Sequence, residues 1–284
     1  MTRLRHKANA PGNWYIDTSC TNCSAARTVA PGLIVERDGQ SVFARQPETE
    51  DELRMAWRAR LLCPSASIRT DQKLPQPMDV FPEEMARGVF RLGYNAAHAA
   101  GAHSFLIQRE RGNFMVDGPR WAKPVVDAIA ERGGLEGILL THRDDIGDAK
   151  RYASHFGAPV WIHHADRDRT PFAGNLIEGS DPVNIADDIL AIPVPGHTRG
   201  SVAFLYEDRC LFTGDSLAWS FEARDLMAWR DFCWFSWREQ TRSLERLLNH
   251  HFETILAGHG GSITLPEAEM RDRLRALVAR MNDD

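Results

Sequence analysis

The chain has 284 residues, 43 % of them hydrophobic and 26 % charged, a soluble globular balance that excludes disordered and fibrous classes. Its length allows two domains or one large one, with enough core to fold without disulfide staples. A net charge of −5 argues against a nucleic-acid binder driven by overall charge. The charge is uneven: residues 1–75 hold 11 Lys/Arg against 8 Asp/Glu, and the remainder 23 against 31. No stretch approaches the ~18 continuous apolar residues of a membrane helix. The basic start Met1–Lys7 leads into no apolar signal core, and the five cysteines are no disulfide framework. The expectation is a cytoplasmic protein with no membrane or nucleic-acid partner.

In chain order, Leu33–Val35 and Ser41–Phe43 predict a hairpin around Asp38-Gly39. Glu48–Leu62 predicts a helix, acidic at its start, with Leu53, Trp57 and Leu61 on one face. Three prolines in 73–84 then interrupt any regular element. Beyond them strands alternate with helices. Strands are expected at Ser104–Ile107, Phe114–Val116, Gly137–Leu140, Pro159–Ile162, Ile189–Val194 and Thr254–Ala257, with a hairpin in Ala203–Phe212 turning at Glu207-Asp208. Helices are expected at Pro124–Arg132, Ile146–Phe156, Trp237–His250 and Arg271–Met281. This predicts an α/β fold with two layers of sheet covered by helices.

Four of the apolar runs end alike: Ile138-Leu-Leu-Thr-His142, Ile192-Pro-Val-Pro-Gly-His197, Leu211-Phe-Thr-Gly-Asp215 and Ile255-Leu-Ala-Gly-His259. Ligands collect at strand C-termini on one sheet edge in α/β folds. Three imidazoles and a carboxylate delivered there suit a transition metal bound by nitrogen and oxygen. The aromatic stretch Trp229–Trp237 reads first as packing against a sheet, with a substrate mouth or a dimer face as alternatives. His163 and His164 lack the Gly or Thr entry of the four strand ends, and His250 and His251 read as structural.

Over about residues 88–265, Gly196-His197-Thr198, Thr213-Gly214-Asp215 and Gly258-His259 resemble motifs of the metallo-β-lactamase superfamily. That resemblance implies an αββα sandwich in which His197 binds one metal, Asp215 bridges two and His259 binds the second. The family's first motif, H-x-H-x-D-H, is replaced by His142-Arg143-Asp144-Asp145. Aligned on Thr-His, Asp144 takes the place of the second His. Slid by two residues, the favoured alignment, His142 becomes the second His and Asp144 and Asp145 take the Asp-His places. Either way imidazoles give way to carboxylates, an oxygen-richer site open to one or two divalent metals, zinc or iron and manganese.

Cys20-Thr-Asn-Cys23 with the remote Cys63-Pro64 resembles a single-cluster ferredoxin domain, with Ala26 standing where a third cysteine belongs. Three thiols leave open a bound iron–sulfur cluster or the relic of one. Together the halves resemble a ferredoxin-fused metallo-β-lactamase-fold family, in which the His-Lys/Arg-Asp-Asp form recurs. The implied domains are a small α+β ferredoxin-like domain over 1–75, a linker over 76–87 and a sandwich over 88–284.

The resemblance implies a metal-dependent hydrolase of a small ester, thioester or phosphoester, working through a metal-bound hydroxide. His142, Asp144, Asp145, His197, Asp215 and His259 are the expected ligands. Asp144 or Asp145, if not a ligand, would orient the water or move a proton. Two alternatives stand beside it: an iron–sulfur-linked oxidoreductase with a redox protein partner, and a metal-free interaction scaffold. A homo-oligomer is compatible with each.

Overall fold

The structure is a computed structural model that describes residues 3–283; Met1, Thr2 and Asp284, at the outer ends of the expected domains, lie outside the described residues. Residues 14–80 gather a core of their own around Trp14, Phe43, Trp57, Leu62 and Ile68. It is built from helices α1 (Ala25–Val29) and α2 (Glu50–Leu62), a hairpin, and the antiparallel pair Trp14–Ile16 with Ile68–Thr70. The hairpin pairs Ile34–Arg37 with Gln40–Phe43 and turns at Asp38-Gly39, both at positive φ, as the tight hairpin turn requires. Helix α2 starts where the Thr49 side chain accepts from the Glu52 N–H, with Glu50, Asp51 and Glu52 in the first turn. Such caps and charges satisfy free N–H groups and oppose the helix dipole.

The rest is two sheets face to face. In the seven-stranded sheet Glu83–Ala86, Val89–Arg91, Phe105–Ile107 and Phe114–Val116 follow one another antiparallel. Gly137–Leu139, Val160–His163 and Asn175–Ile177 continue it in parallel, reached through α3 (Lys123–Glu131) and α4 (Ala149–Phe156). In the six-stranded sheet Val183–Ala186, Ile189–Pro193, Val202–Tyr206 and Cys210–Gly214 run antiparallel. Thr254–Ala257 joins parallel to Cys210–Gly214 after α5 (Trp237–Leu247), and Ile263–Thr264 closes the edge before α6 (Glu267–Asp283). Glu83–Ala86, within the stretch expected as linker, is thus the edge strand of the first sheet.

The alternation of side chains along each strand explains the layering. Phe105, Ile107, Phe114 and Val116 face Phe204, Tyr206, Cys210 and Phe212 across the inter-sheet core. The intervening Leu106, Met115 and Ile138 turn outward onto Val125, Ile129 and Tyr152 of α3 and α4. On the far side Leu205, Leu211 and Ile255 meet Leu244, Leu247, Leu274 and Leu277 of α5 and α6. The order of layers is helix, sheet, sheet, helix, as expected. Among the described residues no helix is long and apolar enough to cross a membrane.

Candidate metal centre and its cavity

The four strand ends meet at one rim of the sandwich, and the structure brings all six expected side chains together. Asp215 is central. Its Oδ2 lies 3.8 Å from His142 Nε2, 3.6 Å from His197 Nε2 and 4.0 Å from His259 Nε2. Asp144 Oδ2 is 3.6 Å from His197 Nε2. Asp145 Oδ1 is 3.9 Å from His142 Nε2 and 3.7 Å from His259 Nε2. Two overlapping donor groups result, His142–Asp144–His197 and His142–Asp145–Asp215. Asp145 is thus buried at the centre, and Asp144 joins it from the half-exposed cavity side.

Whether these residues suit a cation is decided by their unpartnered atoms. His142 Nε2, His197 Nε2, Asp145 Oδ2 and Asp215 Oδ1 are buried and make no hydrogen bond. Leaving one such atom unsatisfied costs about 1–3 kcal/mol, and the two imidazole nitrogens both face the Asp215 carboxylate. Ligand–metal bonds of about 2.0–2.2 Å put two donors of one ion at most about 4.4 Å apart, which the 3.6–4.0 Å separations meet. The set fits a divalent metal.

The surrounding bonds aim the imidazoles. His197 Nδ1 donates to the Phe232 carbonyl at 2.6 Å, which leaves the Nε2 lone pair for the centre. His142 Nδ1 stands 3.0 Å from the Thr141 hydroxyl, which donates to Asp117 Oδ2 at 2.9 Å. Asp166 gathers the loops: it accepts from the Arg143 and Gly200 N–H groups and the Thr198 hydroxyl. Glycine at 258 keeps the rim open, since a Cβ there would stand 2.7 Å from Asp145 Oδ2 and 3.0 Å from Asp215 Oδ1. Asp117 and Asp166 are additions to the expected set. Asp117 directly follows the strand Phe114–Val116 but lacks the Gly or Thr entry of the other four, so its signal in the sequence is weak.

The charges answer one another. Burial pulls the His259 pKa down, but Asp215 and Asp145 outweigh it and push it up to about 10. His197 is raised in the same way, burial being overcome by Asp144 and Asp215. The His197 imidazole 3.6 Å away holds the Asp144 carboxyl below its usual range, so Asp144 is a carboxylate at neutral pH. Burial, then the neighbouring Asp145, drive Asp117 well upward.

The centre opens into a cavity of about 940 Å³. One side carries Trp229, Phe232 and Trp234, with Phe232 56 % and Trp234 60 % exposed. These rings do not pack on a sheet as first expected, because residues 228–236 form no helix and are tied to the His197 turn. Trp234 N donates to the His197 carbonyl and Ser236 N to that of Gly196. His163 and His164 lie elsewhere, His163 Nε2 on the Gly179 carbonyl and His164 beside Glu178. His98 lines the cavity.

Comparison with known proteins bears on both halves. Solved structures superpose on most of the chain: the BLEG-1 B3 metallo-β-lactamase has a TM-score of 0.52 at 19 % identity, covering 66 % of this chain and 99 % of its own. TMB-1 gives 0.55 at 16 % identity, covering 70 % and 97 %. This is the metallo-β-lactamase fold. Among curated proteins, the chain is similar to a hydroxyacylglutathione hydrolase of Fuscovulum blasticum, 42 % identical over 108 residues, which are 36 % of this chain and 42 % of that protein. One of Acidiphilium cryptum is 30 % identical over 122 residues, 42 % of this chain and 50 % of its own length. The chain thus spans about half or less of the curated relatives it matches. Residues 16–70, ahead of the metallo-β-lactamase fold, match the 4Fe-4S single cluster domain of Ferredoxin I.

Cys20, Cys23 and Cys63 line a second, small cavity of about 10 Å³ together with Ala26. Cys63 Sγ lies 3.3 Å from the Ser67 hydroxyl, and burial pushes the Cys23 thiol up. A space of this size holds about one water. Three thiols around it fall short of the four-thiolate cage of a four-iron cluster.

Proposed function

We propose that the chain is a metal-dependent hydrolase of a thioester, within the broader class of small esters and phosphoesters that the sequence suggested. The observation that carries this reading is a pair of overlapping donor groups, His142–Asp144–His197 and His142–Asp145–Asp215, in which the imidazole Nε2 atoms of His142 and His197 are buried and unpartnered. The relatives named hydroxyacylglutathione hydrolases support the thioester. In this reading His142, Asp144 and His197 would hold one ion, and Asp145, Asp215 and His259 would supply the donors for a second. When bound, a divalent ion supplies Lewis acidity and lowers the pKa of water toward neutrality.

The chain's own residues do the rest. Asp144, ionised and half-exposed on the cavity side, would orient the attacking water and take its proton where it is not itself a ligand. Thr141 and the Phe232 carbonyl hold the imidazoles in the tautomers that present Nε2. Trp229, Phe232 and Trp234 form an apolar wall that limits water beside the reacting carbonyl. The five free cysteines support a reducing compartment such as the cytoplasm for this activity.

Element analysis of protein purified without chelator tests the reading. One to two equivalents of a transition metal, strongly reduced in His197→Ala, with release of free thiol from a thioester, are the expected results. A trace of metal that His197→Ala leaves unchanged overturns it.

A further inference from the structure

The cavity has a second wall, and it belongs to the N-terminal unit. Thr21, Asn22, Ser24 and Ser65 line it, together with Arg27 and Glu36. We propose that this wall binds the leaving half of the substrate, a polar peptidic thiol whose end is a zwitterionic α-amino acid held by Arg27 and Glu36. The inference rests on the thioester reading above and concerns the other side of the same cavity.

Size comes first. Small-molecule sites run to about 300–1,000 Å³, and a cavity of about 940 Å³ is far larger than a small acyl group requires. Chemistry comes second. Short hydroxyls and a carboxamide donate and accept alike, which suits the amides of a peptide chain. Arg27 and Glu36 sit side by side, Nη2 to Oε2 3.3 Å. A guanidinium alone selects a carboxylate and a carboxylate alone selects an ammonium; adjacent, they complement both ends of an α-amino acid. Arg27 is held in place through Nη1, which donates to Asn22 Oδ1 and Ser41 Oγ, each at 2.6 Å. The Glu36 side chain is 52 % exposed. Neither belongs to the donor groups at the centre.

Position comes third. The wall is anchored to the sandwich, so its distance from the centre is fixed. Burial lowers the His103 pKa, which keeps the ring neutral. The Thr28 hydroxyl of α1 gives its proton to the Ala25 carbonyl and so accepts from His103 Nε2 at 3.0 Å. The His103 backbone N–H donates to the Gly258 carbonyl, next to His259. Gly101 lies against Cys23 and Pro64 so closely that a Cβ there would be 3.1 Å and 3.0 Å from them.

The test compares leaving thiols on the metal-loaded full chain. Thioesters of one acyl group with glutathione, N-acetylglutathione and methanethiol are ranked by kcat/KM. The expected result is a preference of tenfold or more for the glutathione ester over each of the others. Glu36→Gln abolishes the preference over the N-acetylated ester. Thr21→Trp, at an exposed position whose bulk enters the cavity, abolishes the preference over the methanethiol ester through KM, with unchanged circular dichroism. Equal values for all three esters, or preferences that survive both variants, overturn the proposal. If no ester is hydrolysed, the thioester reading fails and calorimetric titration judges the wall. Glutathione binding tenfold tighter than N-acetylglutathione, and lost in Glu36→Gln, upholds it; no binding of either overturns it.

Discussion

His142 has one nitrogen free for the centre because the Thr141 hydroxyl occupies the other. That hydroxyl accepts a hydrogen bond from Nδ1–H and donates its own to Asp117 Oδ2, so a single oxygen sets the tautomer and the ring plane. Thr141→Val keeps the shape and removes the relay. Metal affinity should then fall about 10–100-fold, the usual cost of losing such a partner, read by competition with a chromogenic chelator; an unchanged affinity refutes the relay. At this scale the sequence was informative where a strand ended in Gly or Thr followed by His or Asp. It was silent on Asp166, which sits in a short helical turn, His164–Arg169, and acts through backbone N–H groups of distant loops. No spacing in the chain announces a carboxylate whose partners are 23, 32 and 34 residues away.

The elements carry these residues to the rim, and the close approach of two strand ends is what glycine permits. Gly258 N donates to the Gly214 carbonyl, and Asp145 and Asp215 crowd the space over the 258 Cα. Gly258→Ala places a methyl group there and pushes both carboxylates aside. The expected outcome is a loss of at least half of the bound metal, measured by element analysis, with the fold retained; full metal content would show that the loops yield without cost. Hairpins with positive-φ turns, Asp38-Gly39 and Glu207-Asp208, were legible because turn chemistry is local. The edge strands Glu83–Ala86, Asn175–Ile177 and Val183–Ala186 were not, since three or four residues show too little alternation to reveal a partner. The rings at 229–234 misled for a related reason. Their spacing imitates a helix face, but the backbone there is spent on holding the His197 turn.

In the whole molecule the N-terminal unit and the sandwich share the lining of one cavity. That arrangement was beyond the reach of the sequence: docking depends on shape, as at Gly101, where φ is +86° and the thiol loops press close. Gly101→Val should separate the units, costing about 1–3 kcal/mol as overpacking does. Thermal unfolding should then split into two steps, the first several degrees lower; one transition at the original temperature would show that the contact is incidental. The partition between the two chambers has a further consequence. Thr21, Cys23, Pro64 and Ser65 line both the large cavity and the small thiol cavity behind it, so the barrier is a single residue thick. Each of these four positions answers to two sets of demands at once. Neither chamber can be remodelled, by substitution or by chemistry at a thiol, without recasting the other.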